Sequence, residues 1–459
     1  MASRMKRDKE TGIDVLICGG GLAGLSFAIE AYRKGHNVRI LEKRPDLDDF
    51  GDIIAIQSSA LYSPKEWPGF LETLEDSMYP SESEMFKSDG TLVGVNKLGD
   101  PNNRSIALNR GSLHQALHDY VTQLGIQVEF SANIVEYFET EDYGGVILDD
   151  GRKLTADVVA AADGVGSKSW GLVLGHKSTP ISSGFALYRV TFPVEEALKN
   201  PVVAKMYEGF ERRIMIFLGK DVHMVTGKGK KDICWILTHK ETSDSTASED
   251  WVRPDIPVEK ALSFMGGWDE FTHELVKSTP GGVCTHWKLM WRDPQPTYTS
   301  PLGRVIQIGD AAHAFLPTSG SGATMAWEDG FSLAACLQVA GKQNVPLGVK
   351  VHNKLRFERV ACAQKLGFKI REVFHSGDLE KTQNSQASAT RPLGDWVLKH
   401  DPTEYAYENY NTCAEHILKG TPFTNTNSPK GYTYKPWTVK ELLEASARGE
   451  VVIDDGDWS

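Results

Sequence analysis

Apolar residues run through this chain in two rhythms, and the change between them divides it. Ile13-Asp-Val-Leu-Ile-Cys18 is a short apolar run, the pattern of a strand covered on both faces. Leu22, Leu25, Ala28, Ile29 and Tyr32 then recur at helical spacing, and Gly35 follows where a chain leaving a helix turns through positive φ. His36 to Glu42 reads as a second strand with an acid at its end. Strand, helix and strand in this order predict a parallel βαβ unit. Trp67 to Leu74 predicts a short helix, and Met85 to Leu98 a strand pair about Ser88-Asp-Gly90. Leu108 to Gly125 predicts a longer helix with Leu113, Leu117, Tyr120, Val121 and Leu124 inward. Ser112 is its expected cap, Gly125 its stop, and Arg110 stands just ahead of it. Ile126 to Phe130 and Gly145 to Leu148 read as sheet strands, and Leu154 to Ala162 as one buried strand entering the turn at Asp163-Gly164.

From Pro180 to Arg292 the period shortens. Phe185–Phe192, Arg213–Leu218, Val222–Thr226 and Ile233–Thr238 are short strands at hairpin spacing, which predicts a separate, largely antiparallel sheet. Thr242 to Asp250 reads as a flexible polar loop. Gly303 to Ile308 is again a buried strand, followed by Gly309-Asp310, a loop with Pro317, and a helix opening at the glycines near Gly320 and running to about Ala340. Val351 to Phe368 reads as a basic helix. The last segment, rich in Asn, Thr, Pro and Tyr, is suited to wrapping the surface or to a homodimer contact.

The chain has 459 residues, enough for two or three domains. At 41% apolar and 24% charged it has the composition of a soluble globular protein. A net charge of −11 argues against a nucleic-acid partner. No run of 18 apolar residues is present, so no membrane-spanning helix is expected. The first ten residues are polar, unlike a secretory signal. Six scattered cysteines (Cys18, Cys234, Cys284, Cys336, Cys362 and Cys413) form neither a disulfide framework nor a metal-ligand spacing. A cytoplasmic protein with reduced thiols and no metal is expected.

Chemistry concentrates at the strand ends. Gly19, Gly21 and Gly24 form G-x-G-x-x-G between strand and helix, with Glu42 eighteen residues beyond. Gly19 suits a tight turn, Gly21 the close approach of a pyrophosphate, and Gly24 close helix packing. The helix opening at Leu22 and Ala23 offers unpaired N–H groups and the positive end of its dipole. Glu42 stands where an acid accepts hydrogen bonds from a ribose. Asp163 and Asp310 each close a buried strand, at the carboxyl edge where doubly wound sheets meet ligands. In the polar loop Asp46 to Tyr62, the acids Asp48, Asp49 and Asp52 are expected on a solvated face.

Three motifs together resemble the group A FAD-dependent aromatic monooxygenases of the para-hydroxybenzoate and salicylate hydroxylase type. They are Gly19-x-Gly21-x-x-Gly24 with Glu42, Ala-Ala-Asp163-Gly164-Val-Gly-Ser, and Gly309-Asp310-Ala-Ala-His313 through Pro317 to Asp329. The Arg-x-x-Leu of Arg110 to Leu113 also fits. Trp396 to Pro402 and Thr424 to Tyr432 resemble C-terminal regions of fungal members linked to secondary metabolism. The chain departs from the family pattern at Ala314, Ser321 and Ala323-Thr324.

The resemblance implies an α/β fold, with a Rossmann-like FAD-binding domain from 10–75, 105–175 and 296–370. A largely antiparallel substrate domain (76–104 and 176–295) would be inserted into it, and a helical C-terminal region (371–459) would follow. It implies that Gly19, Gly21, Leu22, Ala23 and Gly24 take the FAD pyrophosphate and Glu42 the adenosine ribose. Arg110 would reach the ribityl–phosphate region, and Asp163 would serve FAD and a transient NADPH or NADH. Asp310 would bind ribitol, while Gly320, Gly322 and Ala323 would present backbone to the isoalloxazine. It also implies a flavin C4a-hydroperoxide, formed with O₂, that oxygenates a small aromatic substrate: a phenol, an indole or a polyketide-derived ring. An FAD oxidase or dehydrogenase, and a non-enzymatic binding protein on the same scaffold, are the alternatives. Arg189 and Tyr188 are the catalytic candidates, although alternation along a strand lets only one face the pocket. For Arg189 the competing role is a structural ion pair. His223 and Trp291 are further pocket candidates, and His313 is expected as a buried histidine bonded to backbone.

Overall fold

A computed structural model describes residues 5–47, 51–97, 99–100, 103–176, 178–241, 256–375 and 393–458. The expected loop Thr242 to Asp250 lies outside these residues, as do Asp48 and Asp49. The first apolar run forms the strand Asp14–Cys18, at the centre of a five-stranded parallel sheet. Asn37–Leu41 and Gln127–Glu129 extend it on one side, Val158–Ala161 and Val305–Gln307 on the other. The first helix, Leu22–Arg33, packs against a second, Gly322–Ala340. Gly330 makes that crossing close, since a Cβ there would lie 2.9 Å from the Cα of Phe27.

The strand expected over Leu154 to Ala162 is two strands. Lys153–Ala156 joins Ile134–Glu139 and Gly144–Leu148 in a small antiparallel sheet, and Val158–Ala161 enters the parallel sheet. Asp157 sits at the break. Its carboxylate accepts from the Asp14 N–H at 2.8 Å and pairs with Lys342. Gly144–Leu148 therefore belongs to the small sheet, not the main one.

The short strands of the middle region form the expected separate sheet, of eight strands. Its order is Ile256–Pro257, Val283–Trp291, Ile181–Pro193, Asp232–Lys240, Val222–Lys228, Arg213–Gly219, Glu82–Lys87, Leu92–Lys97. Each neighbouring pair is antiparallel except Arg213–Gly219 with Glu82–Lys87. Side chains alternate between its faces. Tyr188, Phe192, Met215, Met224 and Trp235 point to a layer of short helices. Met85, Ile216 and Leu218 point the other way, to the long helix Val345–His375.

That helix is longer than the expected Val351 to Phe368. Pro346 stands in its first turn, where proline's missing N–H costs nothing. Its basic residues are not on a solvated face: Arg356, Arg359 and Arg371 are fully buried. Among the described residues no helix is long and apolar enough to cross a membrane.

Candidate active site

The three sequence motifs meet in space. Gly19 has φ +117°, and a Cβ there would lie 2.3 Å from the Ala162 carbonyl oxygen and 3.0 Å from the Asp163 nitrogen. Gly309 has φ +59°, and its Cβ would lie 2.8 Å from that of Ala23. Only glycine meets both demands at either position. Gly24 packs on the turn before it, where a Cβ would sit 2.0 Å from the Gly19 carbonyl oxygen. Gly21 differs: a Cβ there would meet nothing within 4 Å. No side chain caps the Leu22–Arg33 helix, so the N–H groups of its opening, Leu22 and Ala23 included, face that space.

Gly20 is held at both of its backbone polar groups. Its N–H donates to Glu42 Oε2 at 2.7 Å, and its carbonyl lies 2.6 Å from His114 Nε2. Glu42 also accepts from the Arg44 N–H at 2.9 Å. His114 escaped the sequence reading, its only signal being a polar residue on the inward face of a helix.

Asp163 Oδ2 accepts from the Tyr137 hydroxyl at 2.7 Å. Its Oδ1 is buried without a well-aligned donor, although the Ser167 hydroxyl, bonded to Ser169, is close. Burial raises this carboxyl above the usual range. Asp310 keeps solvent access although protein packs closely around it. Burial raises its pKa too, while His313 and Arg110 pull it back.

Arg110 is the first residue of the helix Arg110–Gln123, not a residue ahead of it. The cap is Asn109, whose side chain accepts from the Ser112 N–H at 3.0 Å. Ser112 is already helical and does not cap. The stem of Arg110 lies so close to Gly51 that a Cβ on Gly51 would be 2.5 Å from it.

The loop before the Gly322 helix is held by one glutamine. Gln57 Nε2 donates to the Gly320 carbonyl at 2.8 Å, and its backbone N–H donates to Thr324 Oγ1 at 2.9 Å. The Ser105 hydroxyl donates to Gln57 Oε1 at 2.8 Å. Gly320 needs its positive φ of 55°, and Gly322 lets Phe315 approach, with its Cβ 3.3 Å from where a Cβ on Gly322 would lie. Ala323 is half-buried beside them, and no side chain caps the helix start.

His313 is bonded to a side chain, not to backbone: Nε2 lies 2.6 Å from Asp329 Oδ2. The same carboxylate oxygen accepts from the Gly309 N–H at 3.0 Å, which pins the Gly309-Asp310 turn.

Arg189 and Tyr188 lie on opposite faces of the large sheet. Arg189 Nη1 is 2.7 Å from Asp52 Oδ2, and its guanidinium stands 5.5 Å from the centre of the Trp287 ring. The Thr191 hydroxyl donates to the Gly51 carbonyl at 3.2 Å. Asp52 is thus largely covered in an ion pair, not on a solvated loop face. Tyr188 points away from the cleft, stacked on His286 at 3.9 Å and His239 at 5.1 Å. The arrangement leaves it outside the site. Trp291 is sealed too, between Phe368 and Trp437.

The family described as FAD binding domain matches residues 14–48. The FAD-dependent monooxygenase fsr3 of Gibberella fujikuroi is 39% identical over 99% of this chain and 91% of its own length. The FAD-dependent monooxygenase mdpD of Emericella nidulans is 36% identical over 99% and 92%. Among solved structures, CtdE in complex with FAD and a substrate superposes with a TM-score of 0.83 at 33% identity, covering 89% of this chain and 100% of that one. A salicylate hydroxylase substrate complex shares the fold, with a TM-score of 0.71 at 22% identity over 88% and 98%. With more than a third of its residues shared along nearly its full length, this chain belongs to the FAD-dependent monooxygenases.

Proposed function

We propose that the protein uses NADPH or NADH and O₂ to insert one oxygen atom into an electron-rich aromatic small molecule, a phenol, an indole or a polyketide-derived ring. The observation that carries this is the close approach of Gly19 to Ala162 and Asp163 and of Gly309 to Ala23, with the Arg110 charge near enough to Asp310 to favour its carboxylate. The residues fit FAD. Open space at Gly21 and an uncapped helix start suit the pyrophosphate, at Leu22 and Ala23. Glu42 has lone pairs left for the adenosine ribose, and the poorly satisfied Asp163 Oδ1 calls for a donor. Arg110 and Asp310 would hold the ribityl–phosphate stretch, and the Gly320 to Ala323 backbone the ring system. FAD, when bound, supplies two-electron reduction by NAD(P)H and activation of O₂.

Arg189, oriented by Asp52, would set the substrate oxygen against the cofactor. The segments 10–75, 105–175 and 296–370 serve in this reading as the FAD-binding domain, 76–104 and 176–295 as the substrate domain. Six buried free cysteines support a reducing compartment such as the cytoplasm.

The test is NAD(P)H oxidation and O₂ uptake by the purified protein against phenols, naphthols and indoles. Stimulation with a product one oxygen heavier supports the reading. Stoichiometric hydrogen peroxide with every compound, and no product, overturns it in favour of an oxidase. Arg189→Ala is expected to keep its flavin and lose about 10²–10³-fold in kcat/KM, the usual weight of one positioned charge. Unchanged turnover removes Arg189 from the mechanism. His114→Leu leaves the buried Gly20 carbonyl without its partner. That costs about 1–3 kcal/mol, so FAD should bind about tenfold more weakly in a fluorescence titration.

A further inference from the structure

The face of the large sheet that bears Arg189 packs on the long helix at Ile216 and Leu218. One cross-strand row holds Leu218, His223, Thr238, Leu187 and Trp287. The next holds Ile216, Val225, Ile236 and Arg189. Alternate residues of a strand are ~7 Å apart and neighbouring strands ~4.8 Å, which puts the backbones of Arg189 and His223 ~12 Å apart.

His223 is buried, and its Nδ1 lies 2.6 Å from Nε2 of His375, the last residue of the long helix. Phe374 meets the His223 ring edge-on at 5.5 Å, and Phe185 meets the His375 ring at 4.8 Å. His375 Nδ1 is buried and has no partner among the described residues. Besides His223, the groups that act on the charge of His375 are Arg371, His239 and Lys240, and all oppose it. Desolvation pushes His223 down to about 3 and His375 well below its ordinary value, so both rings are neutral at pH 7.

Two neutral imidazoles facing nitrogen to nitrogen share one proton. Either His223 donates from Nδ1 and leaves its Nε2 a bare acceptor, or His375 donates and His223 Nε2 carries the proton. No described residue bonds His375 Nδ1 in either arrangement, so none of them selects between the two. As a packing element the pair is poor, because an unpaired buried polar atom costs about 1–3 kcal/mol that two apolar rings would avoid. Among the described residues no carboxylate acts on His375.

We propose that His223, backed by His375, recognises an oxygen at the far end of a fused-ring aromatic substrate whose near end lies at Arg189. Both side chains stand off the same face, so the ~12 Å between their backbones is the span to be bridged, and with a hydrogen bond at each end it suits two or three fused rings rather than one. The tautomer pair lets His223 accept from a phenol hydroxyl or donate to a ring carbonyl. This inference rests on the monooxygenase reading of the cleft.

The experiment is calorimetric titration of the holoenzyme with 2-naphthol and with 2,6-dihydroxynaphthalene, the flavin absorbance of each sample being recorded first. Wild type is expected to bind the diol about tenfold more tightly than the mono-ol, the worth of one well-made hydrogen bond. His223→Phe should reduce that preference to less than twofold at unchanged flavin content. His223→Gln, which both donates and accepts, should restore most of it. His375→Phe should weaken the preference without touching the mono-ol. Equal loss for both probes in His223→Phe marks a structural role and overturns the proposal. So does a wild-type protein that is yellow but shows no preference, or binds neither probe. A colourless protein overturns the monooxygenase reading and this inference with it.

Discussion

Glu328→Gln is expected to cost about 3–5 kcal/mol of stability, because it removes one partner from a fully buried charge cluster. Glu328 Oε2 lies 2.5 Å from Arg356 Nη1 and 2.8 Å from Arg359 Nε. Arg356 reaches Asp329 as well, at 2.9 Å, and Arg359 donates to the carbonyls of Trp396, Val397 and Asn427. The cluster therefore joins the Gly322 helix, the long helix and the C-terminal region. Urea unfolding reads the loss, and limited proteolysis should show residues 393–458 released first. Replacing the whole set is gentler than breaking it: Glu328→Leu combined with Arg359→Met is expected to recover part of the loss. A single variant as stable as wild type would show that the cluster contributes little.

The pH dependence has a definite sign. Burial opposes the charge on Glu328, yet Arg359 and Arg356 hold its carboxyl far below the usual range, and His313 with Arg356 do the same for Asp329. A carboxylate with a depressed folded pKa contributes stability that is full above its unfolded value, ~4.3 for glutamate, and is lost as pH falls further. Histidines enter earlier. Desolvation lowers His36 to about 4 and His352 to about 3. The unfolded chain takes up those protons below ~6.5, so stability starts to fall there. Wild type should lose stability from about pH 6.5 and more steeply below ~4.3. The gap between wild type and Glu328→Gln should narrow only in the lower range.

What could be read from the sequence was local. The first βαβ unit was legible because an apolar strand, three spaced glycines, an amphipathic helix and a terminal acid lie within thirty residues of one another. The middle sheet was legible from its hairpin spacing. Pairings across the chain were not. Asp52 and Arg189 are 137 residues apart, and Asp52 looked like every other acid of its loop. Gln57, Ser105 and Thr324 hold the Gly320 loop without any local signal that they do so. Asn109-Arg-Gly-Ser112 offers two capping side chains, and backbone geometry, not composition, selects Asn109. Leu154 to Ala162 reads as one strand because nothing in its pattern shows that two sheets compete for it. The long helix was underestimated at its C-terminal end because Lys369 and Arg371, which look solvent-bound, are paired inside the protein.

The glycine turn allows the cofactor site to be separated from the fold that carries it. Gly24→Ala would put a Cβ 2.0 Å from the Gly19 carbonyl oxygen and 3.2 Å from Ile17 Cγ2. Backbone must move to admit it, in the apoprotein as much as in the holoprotein, so it should lower the melting temperature of both and weaken FAD by at least about 100-fold. Overpacking of this kind costs about 1–3 kcal/mol even where only side chains yield. Gly21→Ala meets no protein atom within 4 Å, and the φ of −79° at Gly21 is one that alanine accepts. The apoprotein should therefore melt within about 0.5 kcal/mol of wild type, as for a surface substitution. Its FAD affinity should nevertheless fall about tenfold or more, because the new methyl group occupies the space the pyrophosphate needs. Scanning fluorimetry of the apoproteins and FAD titration give the two readouts. If Gly21→Ala binds FAD like wild type, the phosphates do not lie against this turn, and the placement of the cofactor along the cleft must be redrawn.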